Sequence, residues 1–187
     1  MHPRTEEVLN YLDARRDDLR AAVDLVPLDL REQQPGSDRW SVAQVLDHLT
    51  MIDRRVGMGL KKWLGDAKTK GIGPENETSS VLNSVPTELI KDRSRRVQSP
   101  TEIRPRSDID ARTAWTALES ARAELRAAFL SGDGLALAKV IQPHPILGPI
   151  NLYQWILFVG SHEARHTAQI REIGDALKAG PAAAGSN

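Results

Sequence analysis

Apolar residues recur at three- and four-residue steps in four stretches of the chain, the spacing of amphipathic helices. The first helix is predicted over Thr5 to Val26. Thr5 is placed to cap it, and Leu9, Leu12, Leu19, Val23 and Val26 share a face. Arg15, Asp17, Asp18 and Arg20 mark the wet side, while Arg16 falls close to the apolar stripe. Pro27 ends the element. The second helix starts at a capping box, with Ser41 as cap and Gln44 three residues later, and Trp40 and Val45 are spaced for a hydrophobic staple. Its apolar face reads Val42, Val45, Leu46, Leu49, Ile52, Val56, Leu60 and Trp63, with His48 on the flank near the core boundary. Periodicity is lost from Lys61 to Lys70. The third helix spans Asp110 to Leu130, presenting Trp115, Leu118, Leu125 and Phe129, with Arg122 at the stripe's edge and Gly132 beyond its end. The fourth repeats the start signal of the second: Asn151 is the cap, Gln154 stands three later, and Ile150 staples to Trp155. Leu152, Trp155, Ile156, Val159, His162, His166, Ile170, Ile173 and Leu177 form its inner face.

The connections are long. Residues 66–107 hold no long regular element, although a short helix near Thr87 to Asp92 fits. This stretch carries Lys91, Arg93, Arg95, Arg96, Arg104 and Arg106, and reads either as a solvated surface connection or as a lid or anion-binding strap. About 40 residues suffice to return along a helix, so the second and third helices are free to run parallel. Leu135 to Val140 alternates as a short extended piece would, and Pro143 to Pro149 is incompatible with helix. The expectation is an all-α, four-helix bundle with long connections between helices two and three and between three and four. It forms one domain over residues 1–180, with a flexible tail over 181–187.

Composition narrows the function. With 187 residues the chain is long enough for one domain with a proper core. Its 25 basic and 25 acidic residues balance, so it lacks the positive excess that nucleic-acid binding usually needs. No cysteine is present, which excludes disulfides, thiolate metal ligands and a cysteine nucleophile. Thiol chemistry would need a thiol carried by a small molecule. No apolar run approaches the ~20 residues of a membrane span, and the first residues lack a signal-peptide pattern. The expectation is a cytoplasmic protein with no membrane or nucleic-acid partner.

The chemistry concentrates in histidines. His162 and His166 are four apart and project from one helix face about a turn from each other. They form half a site for a divalent metal. If the second helix lies beside the fourth, His48 converges on them and completes three imidazole ligands with a further position open. Imidazole suits zinc, nickel, iron or copper alike. The alternative is that these histidines are only packed in the core, where each brings a polar nitrogen that costs ~1–3 kcal/mol if left unsatisfied.

Three stretches together resemble the DinB/YfiT-like superfamily of metalloenzymes. They are Trp40-Ser41-Val42-Ala43-Gln44-Val45-Leu46-Asp47-His48-Leu49, then His144-Pro145 followed by Gly148-Pro149, then His162-Glu163-Ala164-Arg165-His166-Thr167-Ala168-Gln169-Ile170. The resemblance covers Thr5 to Leu177. It implies an up-down-down-up bundle, a metal held by His48, His162 and His166, and a homodimer. Relatives of this kind include bacillithiol and mycothiol transferases and a thiol-dependent maleylpyruvate isomerase. The implied cofactor is one divalent transition metal, zinc or nickel, with iron as an alternative. The implied activity is S-transfer from a low-molecular-weight thiol to an electrophilic substrate. A metal-dependent hydrolase, or a non-catalytic metal- or ligand-binding stress-response protein, stand as alternatives.

Glu163 and Asp47 each adjoin a ligand and are candidates for a catalytic base, although neighbours on a helix point about 100° apart. A salt-bridging or interface role is the other reading of Glu163. Gln169 lies one turn beyond His166 and is a candidate substrate-side group. His144, between two residues that include Pro143 and Pro145, is either a rigid turn residue or a site-lining one.

Overall fold

Helix starts in this chain are set by the side chains that cap them. A computed structural model describes residues 1–94 and 104–179. In order, the elements are α1 (Pro3–Asp24), α2 (Val42–Thr69), a short α3 (Thr87–Lys91), α4 (Ala111–Leu130), strands β1 (Ile141–His144) and β2 (Gly148–Asn151), and α5 (Leu152–Lys178). Both capping boxes form. Ser41 Oγ accepts from the Gln44 N–H at 3.2 Å while Gln44 Oε1 accepts from the Ser41 N–H at 3.0 Å. Asn151 and Gln154 exchange the same pair of bonds at 3.0 and 2.8 Å. Asp110 caps α4 through the Thr113 N–H.

Three local expectations are corrected. The cap of α1 is His2, whose Nδ1 accepts from the Arg4 N–H, with Pro3 in the first turn, and Thr5 is buried inside the helix. Helix α2 continues past Trp63 to Thr69 because Leu60, Leu64 and Ala67 stay on the buried face. Lys61, Lys62, Gly65 and Asp66 between those positions hide their four-then-three step in the sequence. The extended piece expected at Leu135 to Val140 contains a 3-10 turn over Leu137–Lys139 instead. The strands fall in the proline-rich stretch that follows, as an antiparallel hairpin. Pro143 and Pro149 stand opposite one another, which confines their missing N–H groups to a single rung. Gly148 supplies the positive φ of 73° at the turn. The short helix expected near Thr87 to Asp92 is α3. Arg95 and Arg96, and the expected tail at 181–187, lie outside the described residues.

Contacts give the helix directions. Tyr11 meets Ser161, Arg16 meets Glu163 and Val26 lies against Gly174, so residue numbers rise together along α1 and α5. Asp53 meets Arg122 and Gly57 faces Leu125, so α2 and α4 also run the same way. His48 lies beside His166 and Trp63 beside Trp155, so α2 and α5 run oppositely. The four long helices therefore follow an up-down-down-up order, and the long connection after α2 is what lets α4 return parallel to it.

The core is divided. One apolar cluster gathers Leu9, Leu12, Leu60, Leu64, Phe129, Trp155 and Ile156 near the hairpin. The other gathers Leu19, Val23, Val42, Leu46, Leu118, Ile170 and Ile173 at the opposite end. A polar layer crosses the bundle between them. Each long helix contributes one buried charge to it: Arg16 from α1, Asp53 from α2, Arg122 from α4 and Glu163 from α5. The histidines lie at the same level. Among the described residues, no helix is long and apolar enough to cross a membrane.

Candidate metal centre

Helical spacing alone brings His162 and His166 together on α5. Their Nε2 atoms are 3.3 Å apart. His48 arrives from α2, its ring centroid 4.8 Å from that of His166 and 5.3 Å from that of His162. One ring nitrogen from each of the three lies within 4.8 Å of the others. His48 is 1% exposed, so the expectation of a boundary position is corrected: it points inward. The cause is Trp40. Its indole packs 5.0 Å from His48 and lies almost parallel to His166 at 6.2 Å, roofing the imidazoles from the turn before α2. Phe158, one turn before His162, stacks against that ring at 5.5 Å. The same four-residue step that pairs the histidines places Phe158 beside them, so its role was legible in the spacing.

Burial, with His48 and Arg165 adding to it, pushes His162 down to about 3. Burial and the two neighbouring imidazoles push His166 well below the ordinary histidine value. Both rings are therefore neutral at pH 7 and keep lone pairs for a ligand. Among the described residues, His162 Nδ1 is buried with no hydrogen-bond partner. With the His162 and His166 rings neutral and their Nε2 atoms facing one another, one proton at most fits between them, and the other lone pairs are available to a ligand. A tetrahedral zinc with Zn–N of about 2.0–2.1 Å separates its nitrogens by about 3.4 Å. The His162–His166 separation of 3.3 Å matches that spacing. The donor set fits a divalent transition metal on its chemistry, and the α5 pair fits it on spacing, with His48 close enough to join them.

The four remaining candidates fall at four different places. Gln169 Oε1 lies 2.8 Å from His166 Nδ1, so Gln169 supports a ligand from behind. Glu163 faces away from the histidines and is 0% exposed. Arg16 donates to both its oxygens at 3.1 and 2.9 Å, and Arg122 donates to one of them. Asp47 is gripped by Arg106, whose N–H and Nη2 donate to it at 2.9 and 2.7 Å. Burial pushes the Asp47 carboxyl up, but Arg106 outweighs it and holds the group below the usual carboxylate range. Such a carboxylate is a weak base at neutral pH.

His144 closes the hairpin turn. Its Nδ1 accepts from the N–H groups of Ile146 and Leu147 at 3.2 and 3.1 Å, and burial pushes it down to about 4. Its ring packs on Phe158 at 4.2 Å and on Trp155 at 4.8 Å. It is a turn residue that also buttresses the phenyl ring beside His162.

The connection between α2 and α4 contributes more than its irregular sequence indicates. Helix α3 is clamped on α5 by Arg165, which donates to the carbonyls of Ile90 and Asp92, and by Arg93, which donates to Glu172 at 2.7 and 2.6 Å. Arg106 secures the other end against the first turns of α2.

A family profile described as the DinB superfamily matches residues 11–170. The chain is 32% identical over 147 residues to the "Uncharacterized protein YuaE" of Bacillus subtilis (strain 168), covering 78% of this chain and 84% of that one. No solved structure matches the chain.

Proposed function

Because the chain belongs to the DinB superfamily, we propose that it is a metal-dependent enzyme whose His48, His162 and His166 hold one divalent transition metal, zinc or nickel, for thiol S-transfer. The observation that carries this reading is the convergence of three imidazoles, with two Nε2 atoms at metal-ligand separation. When bound, the ion supplies Lewis acidity that favours the thiolate form of a small thiol at neutral pH. In the overall reaction the sulfur bonds to an electrophilic carbon, the thiol proton passes to solvent, and the leaving group departs with its bonding electrons.

The chain's own residues provide the setting. The rings of Trp40 and Phe158 flank the imidazoles. Gln169 orients His166. The charged carboxylates nearest in sequence, Asp47 and Glu163, are both committed to arginines. This favours a co-substrate that brings its own nucleophile over hydrolysis, which needs a general base for water. The absence of cysteine is compatible with that arrangement.

The test has two stages. Protein purified without a polyhistidine tag is analysed for bound metal and titrated with zinc, and stoichiometric uptake is expected. No bound metal and no uptake would sink the reading. The loaded protein is then incubated with low-molecular-weight thiols and monochlorobimane, and accelerated conjugate formation is expected. Conjugation that persists unchanged in His166→Ala would reject the site.

A further inference from the structure

We infer that Arg93 is a positioning residue that sets the tautomer of His166 through Gln169. The inference rests on the metal site proposed above. Gln169 Oε1 receives two approaches: His166 Nδ1 at 2.8 Å and Arg93 Nη1 at 3.4 Å. A guanidinium has donors and no acceptor. The Gln169 atom that faces Arg93 must therefore be the carbonyl oxygen and not the amide nitrogen. That oxygen only accepts, so the proton on the His166 ring must be on Nδ1. Nε2 then carries the lone pair, and Nε2 is the atom turned toward His162. Without Arg93 the Gln169 amide is free to turn over and present its NH₂ group to Nδ1. The His166 proton then moves to Nε2, and the ligand atom is blocked.

Arg93 is itself held for this task. Glu172 binds its Nε and Nη2 as a two-pronged partner at 2.7 and 2.6 Å, and this contact pulls the Glu172 carboxyl below its usual range. Arg165 fixes the same segment from the side by binding the carbonyls of Ile90 and Asp92 at the end of α3. The segment just after α3 thus reaches the metal ligand through one shared oxygen. Outer partners of this kind tune how strongly a histidine binds metal.

Heteronuclear NMR of the metal-free, histidine-¹⁵N-labelled full chain reads the tautomer directly. In wild type the His166 ring is expected to carry its proton on Nδ1. In Arg93→Ala a substantial Nε2–H population is expected, and in Arg93→Lys, which retains a donor, the Nδ1–H form returns at least in part. Wild type in the Nε2–H form, or an unaltered ring in Arg93→Ala, overturns the inference. Zinc affinity by chelator competition is the second readout. Gln169→Ala is expected to lose about 10- to 100-fold. Arg93→Ala should lose about three- to tenfold, the worth of one hydrogen bond. The Arg93→Ala loss should vanish in a Gln169→Ala background. Independent, additive losses overturn the route through Gln169. If wild type takes up no zinc, the metal reading fails, while the tautomer experiment still decides the role of Arg93.

Discussion

Replacing Arg122 by methionine tests the physical account of the polar layer. Arg122 donates to Asp53 at 2.8 Å and binds Glu163, and these two carboxylate side chains are 2% and 1% exposed. Burial opposes the charge on Arg122, but Asp53 and Glu163 outweigh it and raise its pKa above the ordinary guanidinium value. The layer holds two guanidiniums and two buried carboxylates; burial pushes the Asp53 carboxyl up, and the more exposed Glu119 also pairs with Arg16 at 2.7 Å. Methionine keeps most of the stem volume and removes one cation. Arg16 is then left facing both carboxylates, at 2.9 Å from Glu163 and 3.6 Å from Asp53. Stranding a buried charge in this way costs about 3–5 kcal/mol. Domains have total stabilities of about 5–15 kcal/mol, so the loss is a large fraction of the whole. Urea unfolding followed by helical circular dichroism, in chelator to remove metal, measures it at constant m. The double variant Arg122→Met/Glu163→Gln removes one guanidinium and one carboxylate together. It should cost less than the sum of its single changes by about 0.5–3 kcal/mol. Arg126→Ala is the control, since its pair with Asp13 is largely exposed, and it should stay within about 1 kcal/mol of wild type. Arg122→Met within about 1 kcal/mol of wild type, or strict additivity in the double variant, would refute the reasoning.

Zinc at about 100 times its dissociation constant should stabilise the protein by about 2.7 kcal/mol. In a thermal melt this is a rise in Tm of about 5–11 °C, and His48→Ala should abolish it. His144 predicts a pH dependence. Its folded pKa of about 4 lies below the ordinary 6.5, so the unfolded chain binds the extra proton between those values. Its contribution is present above about pH 6.5 and is lost as pH falls through about 4, at up to about 1.4 kcal/mol per pH unit. Urea midpoints of wild type and His144→Gln should converge as pH drops, and parallel curves would reject this. Ser41→Ala and Asn151→Ala should each cost about 1 kcal/mol by the same denaturation assay, because each removes one half of a capping box.

Some of this protein was legible in short stretches of sequence. A capping box spans four residues, so Ser41 with Gln44 and Asn151 with Gln154 announce their helix starts without any tertiary information. The i, i+4 step pairs His162 with His166 by helix geometry alone, and the inner face of α5 follows from the same period. The stripe of α2 pointed to His48, but not to how deeply it is buried. Residues Arg16 and Arg122 were visible as charges close to apolar stripes, and Glu163 was open between a base and a salt bridge.

What the tertiary structure decided were the partners of those residues. Arg16 and Glu163 are 147 positions apart, Arg122 and Asp53 are 69, and Arg93 and Gln169 are 76. No local pattern encodes such pairs, because a guanidinium on a helix is equally compatible with solvent or with a carboxylate on any neighbour. Packing four amphipathic stripes against one another removed the solvent alternative. It then forced each buried charge onto the opposite charge at its own level, and it turned an irregular connection into a support for a metal ligand. The hairpin follows the same logic: Ile150 and Leu152 are buried against the core, and that burial holds strands that two opposed prolines would otherwise disfavour. Local helix geometry determined half of the metal site; bringing α2 beside α5 supplied the third imidazole and the groups that orient it.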